Sequence, residues 1–147
     1  MPEQRIENNE ELARRLYDGV VNTGRVERLA DIMAPTFEGP TGEKGPEGFA
    51  ATVTMLRTGF PDLQFTIEDV VATPDRVVVR WKWTGTHEGM FRGFPPTGTR
   101  VHDTGISMYE VTDGKFSRAW IETDRLGMLQ QLGVVPGLDA LRSAAAR

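Results

Sequence analysis

Helical spacing fills the first third of this chain and residue-by-residue alternation fills most of the rest. That order restricts the fold to helices laid against a largely antiparallel sheet, an α+β arrangement. Leu12, Leu16, Tyr17 and Val20 recur at helical spacing, with Glu10, Glu11, Arg14, Arg15 and Asp18 on the opposite side. Asn22-Thr-Gly24 stops this helix, glycine being the usual residue just past a helix end. Val26, Leu29, Ile32 and Met33 predict a short second helix that ends before Pro35. A Gly- and Pro-rich loop over 39–45 follows. Pro46 then opens a third helix, where a missing N–H costs nothing. Phe49, Val53 and Leu56 form its buried stripe, and Gly59-Phe-Pro61 closes it.

From there the period changes to two. Leu63, Phe65 and Ile67 alternate with Gln64, Thr66 and Glu68, and Thr73-Pro-Asp-Arg76 is a turn. Val77, Val79, Trp81 and Trp83 alternate with Val78, Arg80, Lys82 and Thr84. A third strand is predicted over 99–111 and a fourth over 116–123, joined by the Asp-Gly turn Thr112-Asp-Gly-Lys115. Asp124 is placed to cap a last short helix through Leu132, and 138–146 reads as a tail helix. One sheet face can cover the helices while the sheet curls around a cavity.

A length of 147 residues suggests one domain over 1–147, with a core at about 10–135 and a tail over 136–147. A chain of this size buries about 68–70% of its unfolded surface, so it needs no metal or disulfide to hold together. It has no cysteine, which removes thiolate nucleophiles, disulfides and Cys-ligated zinc. His87 and His102 are the only histidines, and neither has metal-ligand spacing to another good donor. No phosphate-cradling glycine loop and no GxSxG elbow occur. No metal and no cofactor are expected. The net charge of −4 has both signs mixed without a basic patch, which argues against nucleic acid as a partner. No apolar run reaches the ~18 residues of a membrane span, and the start lacks an apolar leader core, so no membrane association and a cytoplasmic location are expected.

The segment Gly85-Thr-His-Glu-Gly-Met-Phe-Arg-Gly-Phe-Pro-Pro-Thr-Gly98 lies between two strands and cannot form long regular structure. Its apolar Met90, Phe91 and Phe94 belong either to the rim of a ligand cavity or to a packed crossover. Together with Pro61-Asp-Leu63, Asp113-Gly-Lys115, Trp120-x-x-x-Asp124 and Gln131-Leu-Gly133, this segment resembles the SnoaL-like polyketide cyclases, also called ester cyclases, from about Glu10 to Val135. The resemblance implies a cone in which a curved, mixed sheet wraps three N-terminal helices around a deep apolar pocket. Ketosteroid isomerase and scytalone dehydratase share that cone. A hydrophobic small-molecule substrate and a homodimer through the outer sheet face are implied in the same way, and a pocket of about 300–1,000 Å³ is expected.

What remains for chemistry is carboxylate, imidazole and hydroxyl groups. Asp103 sits inside a strand, where Asp is disfavoured; on an inner face it would lose hydration and suit proton transfer, and on an outer face it would be a solvated charge. His102 is the adjacent alternative, because alternation turns only one of the two inward. Glu122 shares a face with Trp120 near the end of the last predicted strand. Glu38, beside Phe37, occupies a place where the resembled cyclases point a polar residue into the pocket. Trp81, Trp83, Phe65, Phe91, Phe94, Tyr109 and Trp120 could line a flat pocket or simply fill a core.

The resemblance also carries a departure. Those cyclases close a ring by intramolecular aldol addition, using an Asp in the last strand helped by a Gln and a His on the preceding one. Aligned on Asp113-Gly-Lys115 and Gln131-Leu-Gly133, the acid's place falls on Ile121 and the helpers' places on Gly105 and Ser107. None of these can perform that proton transfer. Three readings follow: a cofactor-free cyclase or isomerase with its acid relocated to Asp103, His102, Glu38 or Glu122; a hydroxylase component acting on a quinone reduced elsewhere; or a small-molecule binding protein without turnover.

Overall fold

The computed structural model describes residues 1–146. Helix α1 spans Pro2–Leu16 and runs into one π-helical turn, Tyr17–Val21, closed by Asn22 N–H donating to the Tyr17 carbonyl at 2.9 Å. A 3₁₀ turn (Val26–Arg28) and the single-turn α2 (Leu29–Ile32) lead into strand β1, Met33–Glu38. Helix α3 (Gly45–Gly59) is followed by β2 (Gln64–Ala72), β3 (Arg76–Thr86), β4 (Arg100–Thr112) and β5 (Lys115–Thr123). Helices α4 (Arg125–Gln131) and α5 (Leu138–Ala145) end the chain. The five strands form one open mixed sheet in the order β1-β5-β4-β3-β2.

β1 is absent from the sequence reading, which ended a helix before Pro35 and then placed a loop. Pro35 cannot donate to a ladder, so it is tolerated only at a sheet edge. β1 is such an edge, paired in parallel with β5 through two irregular contacts, Met33 with Phe116 and Glu38 with Arg118. A strand this short and poorly registered has no period to read. β3, β4 and β5 lie within a residue or two of their predicted places, β2 runs four residues past the predicted Glu68 to Ala72, and the Asp113-Gly114 turn has positive φ at both residues (51° and 77°), as a type I′ hairpin needs.

Two irregularities bend the sheet. Register slips at Glu68, between Ile67 and Asp69, and at Ser117, between Val111 and Glu110 on the partner strand. An extra residue on one strand increases local twist and curls it. The concave face packs on α1, α3 and the turns between them, with Leu16, Val20, Leu29, Ile32, Phe60 and Phe116 among the fully buried side chains.

β5 ends at Thr123, opposite Gly105, so the start of β4 has no strand on that side. Gln131 replaces it: its side-chain amide accepts from His102 N–H (2.9 Å) and donates to His102 C=O (2.8 Å). This is why a Gln precedes Leu132-Gly133, and why α4 closes the end of the sheet. The segment 87–99 is fixed as firmly. His87 N–H donates to Thr99 C=O, Gly98 N–H donates to His87 C=O, and Glu88 and Gly89 N–H reach Gly59 C=O at the end of α3. A Cβ on Gly89 would lie 2.0 Å from Thr58 O, so only glycine permits that approach. His87 itself is fully buried between Phe60 and Thr97 and anchors this loop.

Replacing Gln131 with Ala removes both strand-mimicking bonds. We expect a loss of about 1–3 kcal/mol in denaturant unfolding, with hydrogen exchange accelerated at the His102 amide rather than at Val79, deep in β3. A loss confined to α4 would contradict the clamp.

Candidate functional site

Alternation along β4 builds the site. Val101, Asp103, Gly105, Ser107, Tyr109 and Val111 turn to the concave face, while Arg100, His102, Thr104, Ile106 and Met108 turn outward. Beneath the concave face lies a cavity of about 220 Å³, smaller than the 300–1,000 Å³ expected from ligand pockets in general. The π-helical turn, α3, the 87–99 loop, the sheet and the start of α4 all contribute lining residues, and the exposed ones, Pro40, Thr41 and Arg92, mark its mouth. Phe91 is 1% exposed and packs edge-on against Phe60 at 5.1 Å, narrowing the space from one side.

The inner end is a cluster of hydroxyls. Tyr17 O–H donates to Ser107 Oγ (3.1 Å), Trp81 Nε1–H donates to the same oxygen (2.9 Å), and Tyr17 and Tyr109 oxygens are 2.6 Å apart. With Tyr17 donating to Ser107, Tyr109 donates to Tyr17. Ser107 Oγ then accepts twice, and its own proton is free to turn into the cavity it lines. Burial pushes Tyr109 up to about 12 and Tyr17 well above the ordinary phenol range, so both stay protonated as donors.

Trp81 reaches Ser107 because Gly105 has no side chain. A Cβ there would fall 2.4 Å from Trp81 Cζ2 and 2.6 Å from Glu122 O. Of the places that resembled the family's catalytic trio, Ser107 and Ile121 face each other across β4 and β5 and line the cavity, and the indole fills the space over Gly105.

Asp103 stands four residues from Ser107 on the same face of β4, about 13 Å along the strand. It is 5% exposed and lines the cavity. Loss of hydration raises its pKa from 3.8 to about 6, opposed by the Thr104 N–H it accepts at 2.8 Å; the Asp124 charge raises it further and Arg125 lowers it. Asp124 is committed elsewhere, accepting Gly127 N–H as the cap of α4.

Asp103, Trp83, Phe91, Ser107, Tyr109 and Ile121 therefore meet in one cavity. The other predicted residues do not line it. His102 points out of the opposite sheet face, as alternation requires once Asp103 is inside. Glu122 and Trp120 share that outer face: Glu122 pairs with Ile106, and Trp120 pairs with Met108 beneath the guanidiniums of Arg76 and Arg118. Glu38 is drawn to Lys44 at 3.4 Å on the surface. Phe37 packs edge-on against Phe49, which itself lines the cavity. Met90 is solvent-exposed, and Phe94 closes a tight turn with Phe91 through two backbone bonds. Sequence reasoning missed Tyr17, taken only as a core residue of the first helix, and Arg92 and Arg125. A buried phenol needs a hydroxyl partner, so Tyr17 could have been matched to the inward hydroxyls of Ser107 and Tyr109. Among the described residues no group of three or more His, Asp or Glu is arranged to hold a metal ion, and no helix is long and apolar enough to cross a membrane.

An open five-stranded mixed sheet curved over helices, with an apolar cavity beneath it, is the ketosteroid-isomerase-like fold. Residues 11–132 match the SnoaL-like polyketide cyclase family, and the chain belongs to it. It is 32% identical over 133 residues to the aklanonic acid methyl ester cyclase DauD of Streptomyces sp. (strain C5), covering 84% of this chain and 80% of that one. It is equally similar to the aklanonic acid methyl ester cyclase DnrD of Streptomyces peucetius, covering 89% of that protein. Among solved structures, TsrD of Streptomyces laurentii superposes with a TM-score of 0.78 at 28% identity, covering 92% of this chain and 99% of that one. A protein of Jannaschia sp. CCS1 described as a SnoaL-like polyketide cyclase gives 0.81 at 29% identity over 88% and 94%.

The raised pKa of Asp103 has a stability consequence. Between pH 3.8 and about 6 the folded protein keeps a proton that the unfolded chain releases, so stability falls as pH rises through that window and is level above it. Asp103→Asn is expected to be about 1–3 kcal/mol more stable than the parent above pH 6 and equal to it below pH 4, read from urea unfolding at the two extremes. A constant difference across pH would show that desolvation is not the cause. Gly105→Ala is expected to cost about 1–3 kcal/mol by overpacking and to shift the Trp81 fluorescence; unaltered stability would contradict the close contact.

Proposed function

We propose that this protein is a cofactor-independent cyclase that closes a carbon ring on a hydrophobic, polyketide-derived ester, with Asp103 as the acid/base in place of the family's usual last-strand Asp. The observation that carries this reading is one inward carboxyl, shielded from water and with a pKa of about 6, on the wall of the cavity whose floor offers the Ser107 hydroxyl. A general base works best with a pKa near the working pH, and a group of this kind contributes about 10²–10⁴-fold. The class of substrate is taken from DauD and DnrD, which act on aklanonic acid methyl ester.

The reaction balances with one residue. Ionised Asp103 removes a proton from a carbon beside a carbonyl; the C–H pair forms the C=C bond of an enolate and the carbonyl π pair moves to oxygen. The enolate carbon attacks a second carbonyl carbon of the same molecule; a C–C bond forms and the C=O π pair moves to oxygen. That alkoxide takes back the proton from Asp103, which is again ionised. Trp83, Phe65 and Phe91 hold the rings of the substrate in the folded shape that brings the two carbons together. With 220 Å³ available, a multi-ring substrate enters by displacing side chains at the mouth, where Thr41 and Arg92 are exposed.

The test is turnover of aklanonic acid methyl ester, followed by product chromatography. Asp103→Asn is expected to lower kcat at least about 100-fold. In the parent, kcat/KM is expected to rise with pH through about 6, as the carboxylate forms, and this limb is expected to vanish in the variant. Retention of more than a third of parental kcat by Asp103→Asn would remove Asp103 from the mechanism.

A further inference from the structure

Arg125 stands near the desolvated carboxyl of Asp103 with a donor to spare. It is the first residue of α4 and lines the cavity together with Asp103. Its Nε is buried and has no hydrogen-bond partner. A buried donor left unpaired is costly, and such groups in a folded protein mark places where a partner is still to come. The carboxylates around it are not that partner. Asp124 is committed to Gly127 N–H as the cap of α4, and Glu43, also in the lining, is held by the backbone N–H and hydroxyl of Thr41. The ion pairs among the described residues are Lys44–Glu38, Arg76–Glu110, Lys82–Glu68, Arg100–Asp62 and Arg142–Asp139, and Arg125 is in none of them. Partial burial, then the like charge of Arg92, lowers its pKa, and the charge of Asp103 acts the other way. A guanidinium stays charged throughout the working range, so Arg125 is a cation that balances Asp103 through space without being bound to it.

Proton abstraction by Asp103 moves a negative charge rather than creating one. The carboxylate is neutralised as it takes the proton, and the carbonyl π pair that moves to oxygen puts the charge on the substrate. A cation that already balances Asp103 then balances the enolate oxygen, and no unpaired charge is left in the cavity. The Ser107 hydroxyl is too remote for this, about 13 Å along β4 from Asp103.

We propose that Arg125 is a second catalytic residue, the donor that holds the carbonyl oxygen of the carbon acid and the enolate oxygen formed from it. This rests on Asp103 being the base in the same cavity and adds the group that receives the charge. A neutral ester suits the arrangement: while Asp103 is ionised, carboxylate and guanidinium already balance, and the ligand becomes anionic only once Asp103 has been neutralised. A donor that binds the enolate more strongly than the ketone lowers the barrier instead of only tightening binding. The planar guanidinium can present its Nε–H and a neighbouring N–H side by side to that oxygen.

A probe of charge, separate from turnover, tests this. In Asp103→Asn the amide stands for the protonated carboxyl, and the anion of 4-nitrophenol stands for the enolate, a flat ring with one charged oxygen whose ionisation is read by visible absorbance. Bound to full-chain Asp103→Asn, 4-nitrophenol is expected to ionise at lower pH than in solution, its anion held at least about tenfold more tightly than the phenol. Adding Arg125→Met is expected to erase most of that preference, and adding Arg125→Lys to keep part of it, since charge remains but the fork is lost. 4-Nitroanisole, which cannot ionise, is expected to bind all three variants within about twofold of one another, which reports an intact cavity. In the otherwise unaltered chain, Arg125→Met is expected to lower kcat for aklanonic acid methyl ester about 10²–10³-fold with KM within about threefold. An anion preference unchanged by Arg125→Met, or parental kcat in that variant, overturns the role of Arg125 and leaves Asp103 standing as the base. Failure of Asp103→Asn to bind either probe overturns the cavity reading and this role with it.

Discussion

The contact between Trp81 and Gly105 sets the floor on which the rest of the site stands. Because Gly105 carries no side chain, the indole crosses from β3 and donates to Ser107, two residues further along β4. Ser107 in turn accepts from Tyr17, which ties the π-helical turn at the end of α1 to the middle of the sheet. A π turn displaces a helical side chain from the position a regular helix would give it, and here the displaced side chain is a phenol that reaches across the core. One absent methyl group thus connects three elements and buries four polar side chains, pairing every donor among them except the Ser107 hydroxyl, which is free to turn into the cavity.

The same arrangement fills the places where the resemblance put the catalytic trio. Ile121 makes the wall opposite Ser107 apolar, and the place of one helper is filled by the indole over Gly105. The inward carboxyl of β4 is Asp103, where β5 has ended and α4 covers the gap. Its carboxyl is desolvated by this cover, and the neighbouring charges of Asp124 and Arg125 oppose each other. The cavity has separate ends as a result: neutral donors that stay protonated at the floor, and charged groups at the mouth. A ligand with a polar function at each end and rings between fits that polarity in one orientation.

Much of this was legible in the chain. Periods of 3.6 and then 2 gave the order of elements. The Asp-Gly turn, the Asp124 cap and the glycine-rich 85–98 segment marked the boundaries to within a residue or two. The rule that only one of His102 and Asp103 faces inward was also available. What alternation cannot supply is which parity is inside, since both faces of β4 carry apolar residues: Ile106 and Met108 outside, Val101, Tyr109 and Val111 inside. Trp120 and Glu122 were misplaced for that reason, with Trp120 covered on the outer face by Arg76 and Arg118 instead of by a ligand.

The sequence by itself determined the helices, four of the five strands and the supply of chemistry: no thiol, two histidines, and carboxylates and hydroxyls in the strands. These are local matters, settled by period, turn residues and composition. Only the tertiary structure decided that Tyr17, Trp81, Ser107 and Tyr109 share one network, that Arg92 and Arg125 stand together beside Asp103, and that Pro35 lies in an edge strand. Each of those depends on contacts between residues far apart in the chain, set by sheet bulges, a π turn and a missing Cβ, and nothing in local spacing encodes them.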